Sequence, residues 1–151
     1  MLQPEAYLMA RHEARFHVLV EVVAARPAER TPGRMPIEAR VVEAYRSDGT
    51  LRAGDLVRFQ ENVMRPGDEI PCGGVWWKQH DEVLQARYIE AFLDGDPPNC
   101  AVVLSQSQIV ASPDGTARME GWFPLAAIKQ RALQALAERE ASGRRWWRFW
   151  R

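Results

Sequence analysis

The chain has 151 residues, 46% of them hydrophobic, so one domain can bury an apolar core without metal or disulfide cross-links. Its 20 basic and 20 acidic residues cancel, which excludes a general electrostatic attraction to nucleic acid, membranes or acidic substrates. The charge is divided unevenly, because the last eight residues carry four arginines and no acid. Residues 1–143 therefore hold 16 basic and 20 acidic side chains, a net charge of −4.

Alternating apolar and polar residues predict five strands. Pro4 followed by helix-forming residues first predicts a short helix over 3–14. From Phe16 onward the sequence has a period of two and is rich in β-branched residues, which is typical of strands. The predicted strands are 16–23, 37–45, 56–63, 83–93 and 100–110. Residues 83–93 also suit a helix face through Leu84, Tyr88 and Phe92, but we prefer the strand. Close turn signals between strands favour an antiparallel meander.

Two loops and a final helix complete the prediction. Residues 25–36 are rich in proline and charge and are expected to be an exposed loop, and 65–81 form a long structured loop. Pro124 suits the first position of a helix over about 124–142 that ends near Gly143. No repeat or linker divides residues 1–143, so we expect a single domain followed by a tail, 144–151.

These elements suit a barrel, because closing the sheet hides its edges, although an α+β sandwich is an alternative. Several segments of the sequence match elements of one known fold: a β run from Phe16 to Val23, Ala53-Gly54-Asp55 before Val57-Arg58-Phe59, and a strand from Tyr88 to Phe92. In this pattern the chain resembles the oligonucleotide/oligosaccharide-binding (OB) fold in its netrin-like, metalloproteinase-inhibitor variant. A further match is the β run that ends in Glu43-Ala44-Tyr45-Arg46.

The resemblance covers roughly residues 14–111 and implies the architecture alone. The netrin-like family begins its domain with a cysteine and depends on secreted disulfides. This sequence has neither, so metalloproteinase inhibition is not carried over. The predicted fold class is mostly β: a small five-stranded antiparallel, OB-like barrel with a C-terminal helix.

The two cysteines, Cys72 and Cys100, are too few for a disulfide framework and are expected to be free thiols. A thiolate at Cys72, with His80 or His17 as its base, is one catalytic hypothesis. An inert thiol is the preferred interpretation, because the spacing matches no known signature. His17 is expected to be half-buried and hydrogen-bonded to a backbone carbonyl. A disulfide between the two cysteines is the remaining alternative.

No catalytic residue, metal ligand or cofactor is predicted. The three histidines and two cysteines lack the close CxxC or HxxxH spacing of zinc sites, and no phosphate loop, nucleotide fingerprint or serine elbow occurs. Pro4 and Glu5 stand where a signal peptide needs a basic start, and no apolar run is long enough to span a bilayer. We therefore expect a cytoplasmic protein; a disulfide would favour the periplasm instead.

Adjacent tryptophans in the long loop, Trp76 and Trp77, are the candidate contacts for a ligand or partner. In an extended segment they face opposite sides, so one can plug the core while the other contacts a ligand; plugging is the preferred role. Oligonucleotide binding normally requires a basic groove. The net charge of −4 on residues 1–143 therefore disfavours nucleic acid as a partner.

The tail is the most unusual feature of the sequence. It consists of Arg144, Arg145, Trp146, Trp147, Arg148, Phe149, Trp150 and Arg151. Tryptophan favours the membrane interface and arginine pairs with phosphate, so docking to an anionic membrane surface is one hypothesis. Docking to a protein partner and packing onto the barrel remain equal alternatives.

Together these patterns predict a non-enzymatic binding or protein-interaction module. Its tail would place it at a protein partner or at the periphery of a membrane. The alternative is a thiol-dependent enzyme or redox protein centred on Cys72.

Overall fold

The computed structural model describes residues 4–113, Met119 and 125–142. In chain order the elements are α1 (Pro4–Glu13), β1 (Phe16–Ala25), β2 (Gly33–Arg46), β3 (Leu56–Met64), β4 (Lys78–Gln79), α2 (His80–Leu84), β5 (Tyr88–Asp96), β6 (Asn99–Val110) and α3 (Leu125–Ser142). The predicted mostly β fold with a C-terminal helix is confirmed. The tail, residues 144–151, lies outside the described residues.

Five strands close into an OB-like barrel. Their order around the ring is β2-β1-β5-β6-β3, and an additional pairing between β2 and β3 closes it. Four of the five pairings in the ring are antiparallel, whereas β3 and β6 pair in parallel at Arg58 and Asn99. The expectation of a purely antiparallel barrel is corrected here. A closed ring with an odd number of strands must contain one parallel seam, because strand directions cannot alternate all the way round.

Alternate residues of the strands point into the barrel and form its core. They include Phe16, Val18 and Val20 of β1, Ile37, Ala39 and Val41 of β2, Val57, Phe59 and Val63 of β3, and Ile89, Ala91 and Leu93 of β5, all of them buried. Each large apolar side chain stabilises the fold by about 1.5–3 kcal/mol through its burial. The period of two in β1 therefore predicted burial of Val18 and Val20 correctly.

Two strand starts differ from the prediction by four residues or more. β2 begins at Gly33 rather than near residue 37, so Pro36 lies within the strand, where its carbonyl accepts a hydrogen bond from the Arg26 amide at 3.1 Å. The start of the predicted 83–93 strand is instead helix α2. His80 and Val83, three residues apart, bury one face of this short helix, and β5 begins only at Tyr88.

Helix α1 packs on the outside of the barrel through polar side chains. Arg11 donates from Nε to Gln106 Oε1 and from Nη1 to the Met119 carbonyl at 2.8 Å. Gln106 in turn donates to the Tyr7 carbonyl at 2.9 Å. Nearby, His17 is fully buried, and its Nε2 lies 2.8 Å from Glu90 Oε1. The expectation of a half-buried His17 bonded to a backbone carbonyl is therefore wrong: its partner is a carboxylate on the neighbouring strand.

Candidate functional site

A groove lies on the outer face of β2 and β3. It consists of three adjoining lobes of about 830, 430 and 300 Å³. Gln60 lines all three, Arg26 lines the first and second, and Arg34 lines the first and third. Because the lobes share lining residues, we treat them as one site, the arginine groove. We call the lobe of about 830 Å³ the cationic lobe, that of about 430 Å³ the second lobe and that of about 300 Å³ the apolar lobe.

Strand alternation explains the polar floor of the arginine groove. The odd-numbered residues of β2 and β3 enter the core, so the even-numbered ones face outward. The register sets Arg34 opposite Asn62, Pro36 opposite Gln60, and Glu38 opposite Arg58. Directly opposed residues of an antiparallel pair share a face. Two polar rows therefore lie side by side.

The cationic lobe carries an unbalanced positive charge. It is lined by Arg26, Arg30 and Arg34 and by one acid, Glu29. None of these three arginines has an ion-pair partner within residues 4–113, Met119 and 125–142. In the second lobe, by contrast, Arg58 pairs with Glu38 at 2.8 Å. Residues 1–143 carry a net charge of −4, whereas the side chains that line the cationic lobe carry a net charge of +2.

The two tryptophans face different surroundings. The ring of Trp76 lies 5.2 Å from that of Tyr7 in α1, and the Tyr7 hydroxyl donates to the Gly74 carbonyl at 2.7 Å. Trp77 instead lines the cationic lobe. Its indole Nε1 is buried and has no hydrogen-bond partner in the described part of the chain. An unsatisfied buried donor costs about 1–3 kcal/mol.

A buried polar cluster lies where the end of the loop that carries Trp76 and Trp77 meets the barrel. Glu61 is 0% exposed, and its Oε2 lies 3.0 Å from Lys78 Nζ. The ammonium also donates to Ser107 Oγ at 2.6 Å and to the Ser105 carbonyl at 3.4 Å, while the Ser107 hydroxyl donates to Glu61 Oε1. The Ser107 hydroxyl proton is donated to Glu61, and the Lys78 ammonium has three hydrogen-bond acceptors. The cluster therefore cross-links Lys78, the residue after Trp77, to β3 and β6.

Sequence reasoning missed this cluster, although one signal was present. Glu61 interrupts the inward row Val57, Phe59 and Val63 of β3. An acid at an inward position of an apolar strand requires a partner, because a buried charge must be paired. That partner, Lys78, is not predictable from local sequence.

A strained bulge in β6 forms part of the apolar lobe. Leu104 and Ser105 have φ angles of 47° and 56°, in the left-handed region, which costs about 1–2 kcal/mol for each non-glycine residue. Both line the apolar lobe, and Asn62 donates a hydrogen bond to Ser105 Oγ. Strained backbone of this kind is found preferentially at functional sites. The arginine groove therefore contains strained backbone at Leu104 and Ser105, the Trp77 indole and the three arginines that have no ion-pair partner in the described part of the chain.

The thiol and histidine candidates do not form a catalytic group. Cys72 is exposed and Cys100 half-buried, and both are free; burial raises the pKa of the Cys100 thiol to about 11. His80 is buried, with Nδ1 2.9 Å from Asp81 Oδ1. His17 is held by Glu90. No hydrogen bond within the described residues joins Cys72 to His80 or to His17.

Two further searches of the described residues were negative. No three histidine, cysteine or acidic side chains within them come together as ligands for a metal ion. No helix within them has the length and apolar character needed to cross a bilayer. No protein-family model matches the chain, and a comparison with curated proteins finds no match.

Proposed function

We propose that this chain is a non-enzymatic binding module and that it binds an anionic ligand in the arginine groove. The observation that carries the proposal is the convergence of Arg26, Arg30 and Arg34, unpaired within the described residues, on one lobe of about 830 Å³. Guanidinium groups bind carboxylates and phosphates through two parallel hydrogen bonds. The volume is in the range of ligand-binding pockets, about 300–1,000 Å³.

The architecture supports the same surface by analogy. OB-like barrels bind ligands on the face of their second and third strands and the adjoining loops, and the arginine groove occupies that face. A fold does not establish a function, so the charge and burial of the groove carry the argument. From the strand pattern alone, we propose that this OB-like barrel is of the netrin-like type. The proposal does not include inhibition of metalloproteinases.

The test is a comparison of charge reversals inside and outside the groove. Titration calorimetry with tripolyphosphate and with poly-L-glutamate should show binding to the wild type that weakens as salt increases. Arg30→Glu/Arg34→Glu should lower the affinity at least tenfold, about 1.4 kcal/mol. Arg87→Glu is the matched control, because its side chain is 75% exposed on another surface. Equal affinities of the double variant and the wild type would refute the proposal.

A second contact surface is proposed for the tail, on sequence alone. Its four arginines, three tryptophans and one phenylalanine suit an anionic membrane surface or a protein partner. A chain truncated after Gly143 should lose sedimentation with anionic liposomes, or lose a partner in a pull-down. If both assays give the same result with and without the tail, the tail has no part in docking.

The alternative of a thiol-dependent enzyme or redox protein centred on Cys72 is less well supported. A reactive cysteine needs a base or a cationic environment. No hydrogen bond within the described residues joins Cys72 to either histidine. The rate at which Cys72 reacts with a disulfide reagent at pH 6 and at pH 8 tests this alternative directly.

A further inference from the structure

We propose that the occupant of the arginine groove is an extended acidic peptide segment of a partner protein, with an aliphatic side chain placed beside its carboxylates. This inference rests on the proposed function and narrows it from an anionic ligand to a peptide. It is carried by the combination of charge, apolar surface and amide groups in the groove.

The groove is elongated. Arg34 and Arg58 lie on facing strands, and the register places Arg58 opposite Glu38, four residues along β2 from Arg34. At about 3.4 Å per residue the two guanidinium-bearing positions are about 14 Å apart along the strands. An extended peptide covers that length with four or five residues. A compact anion would occupy only the cationic lobe.

An apolar lobe adjoins the cationic one. Its lining includes four apolar residues, Val75, Ala101, Val102 and Leu104, beside the polar residues Arg34, Gln60, Asn62 and Ser105, and its volume is about 300 Å³. Arg34, Asn62 and Val75 line both lobes, so a carboxylate and an aliphatic side chain of one ligand can be bound next to each other. Val75 is 36% exposed, which leaves apolar surface for the ligand to cover.

Neutral donors and acceptors fit a peptide backbone. Gln60 lies where the three lobes meet and is exposed. Asn62 uses its amide nitrogen on Ser105 Oγ, so its carbonyl oxygen can accept a peptide N–H. Amide side chains match backbone amides in both donor and acceptor.

The lining disfavours single-stranded nucleic acid, which stacks successive bases on aromatic side chains. Among the lining residues the aromatic ones are Trp77 and Phe59, and Phe59 is buried in the core. One accessible aromatic ring offers no stacking series. An acidic oligosaccharide would satisfy the arginines, but it carries no aliphatic side chain for the apolar lobe.

The experiment separates the anionic and aliphatic contributions. Fluorescence anisotropy is measured with fluorescein-labelled Glu-Leu-Glu-Glu-Leu-Glu, with a serine peptide of equal charge, Glu-Ser-Glu-Glu-Ser-Glu, and with a dT12 oligonucleotide. The leucine-containing peptide should bind about tenfold more tightly than the serine peptide, the gain expected from burying one leucine side chain. The oligonucleotide should bind more weakly than the leucine-containing peptide.

Two variants with matched controls test the two contributions. Val75→Ser should remove most of the advantage of the leucine-containing peptide and leave binding of the serine peptide unchanged, whereas Val42→Ser, at a site also 36% exposed, should change neither. Arg34→Glu should weaken both peptides at least tenfold, whereas Arg87→Glu should not.

Each other outcome has a definite meaning. If the two peptides bind equally, or the oligonucleotide binds best, the peptide inference is refuted, while a loss on Arg34→Glu would still support an anionic ligand. If no probe is sensitive to Arg34→Glu, the peptide inference and the proposed function both fail.

Discussion

Replacing Lys78 with methionine should destabilise the protein by about 3–5 kcal/mol, the usual cost of removing one partner from a buried ion pair. Methionine preserves the length of the side chain but removes its charge. Glu61 is 0% exposed and the Lys78 side chain 15% exposed, so water cannot replace the ammonium. Glu61 would keep only the Ser107 hydroxyl as a partner. For a domain of this size, the melting temperature should fall by about 6–20 °C.

The double variant Glu61→Leu/Lys78→Met provides the decisive comparison. With both charges removed, no buried carboxylate is left unpaired, and a buried pair replaced by apolar residues is often neutral in stability. Ser107 loses one acceptor, a cost of about 1 kcal/mol. We therefore expect the double variant to be more stable than the Lys78→Met single variant.

Urea denaturation followed by tryptophan fluorescence, with linear extrapolation to water, measures these differences. Arg87→Met is the control at an exposed site and should change stability by no more than about 0.5 kcal/mol. A Lys78→Met variant within 1 kcal/mol of the wild type would refute burial of the ion pair. So would a double variant whose loss equals the sum of the two single losses, because the two residues would then be uncoupled.

Three further predictions concern other parts of the molecule. The Thr50 hydroxyl and amide, and then Arg15, lower the pKa of Asp48 to about 2; its contribution to stability is therefore present above pH 3.8 and lost as the pH falls through 2. In urea denaturation at pH 5, 3 and 2, Asp48→Asn should be less sensitive to acid than the wild type, and identical profiles would argue against the shift. With a disulfide reagent at pH 8, exposed Cys72 should react quickly and Cys100 slowly, because burial raises the Cys100 pKa to about 11. A Cys72 that reacts as fast at pH 6 as at pH 8 would instead favour the thiol enzyme. A Cβ added at Gly33 would lie 2.2 Å from the Arg30 carbonyl oxygen, so calorimetric melting and anion titration of Gly33→Ala should show a loss of about 1–3 kcal/mol and weaker binding; Gly73→Ala, whose added Cβ has no neighbour within 4 Å, should change neither.

Local sequence was sufficient for the five strands and for the inward row of β1. The alternation that begins at Phe16 depends only on side chains pointing to opposite faces of a strand, and Val18 and Val20 are fully buried. The parallel seam between β3 and β6 was not predicted, because it arises only when the five strands close into a ring. The short helix α2 was misassigned because the spacing of Leu84, Tyr88 and Phe92 suits both periods.

The sequence by itself thus determined a mostly β fold, the inward row of β1 and the contrasting sides of Trp76 and Trp77. Only the tertiary structure decided which distant residues meet: Glu61 with Lys78, His17 with Glu90, and the loop arginines with the outer rows of β2 and β3. The physical reason is that alternation is set by the backbone of one strand. The arginine groove and the buried ion pair instead depend on register, on ring closure and on the path of two long loops.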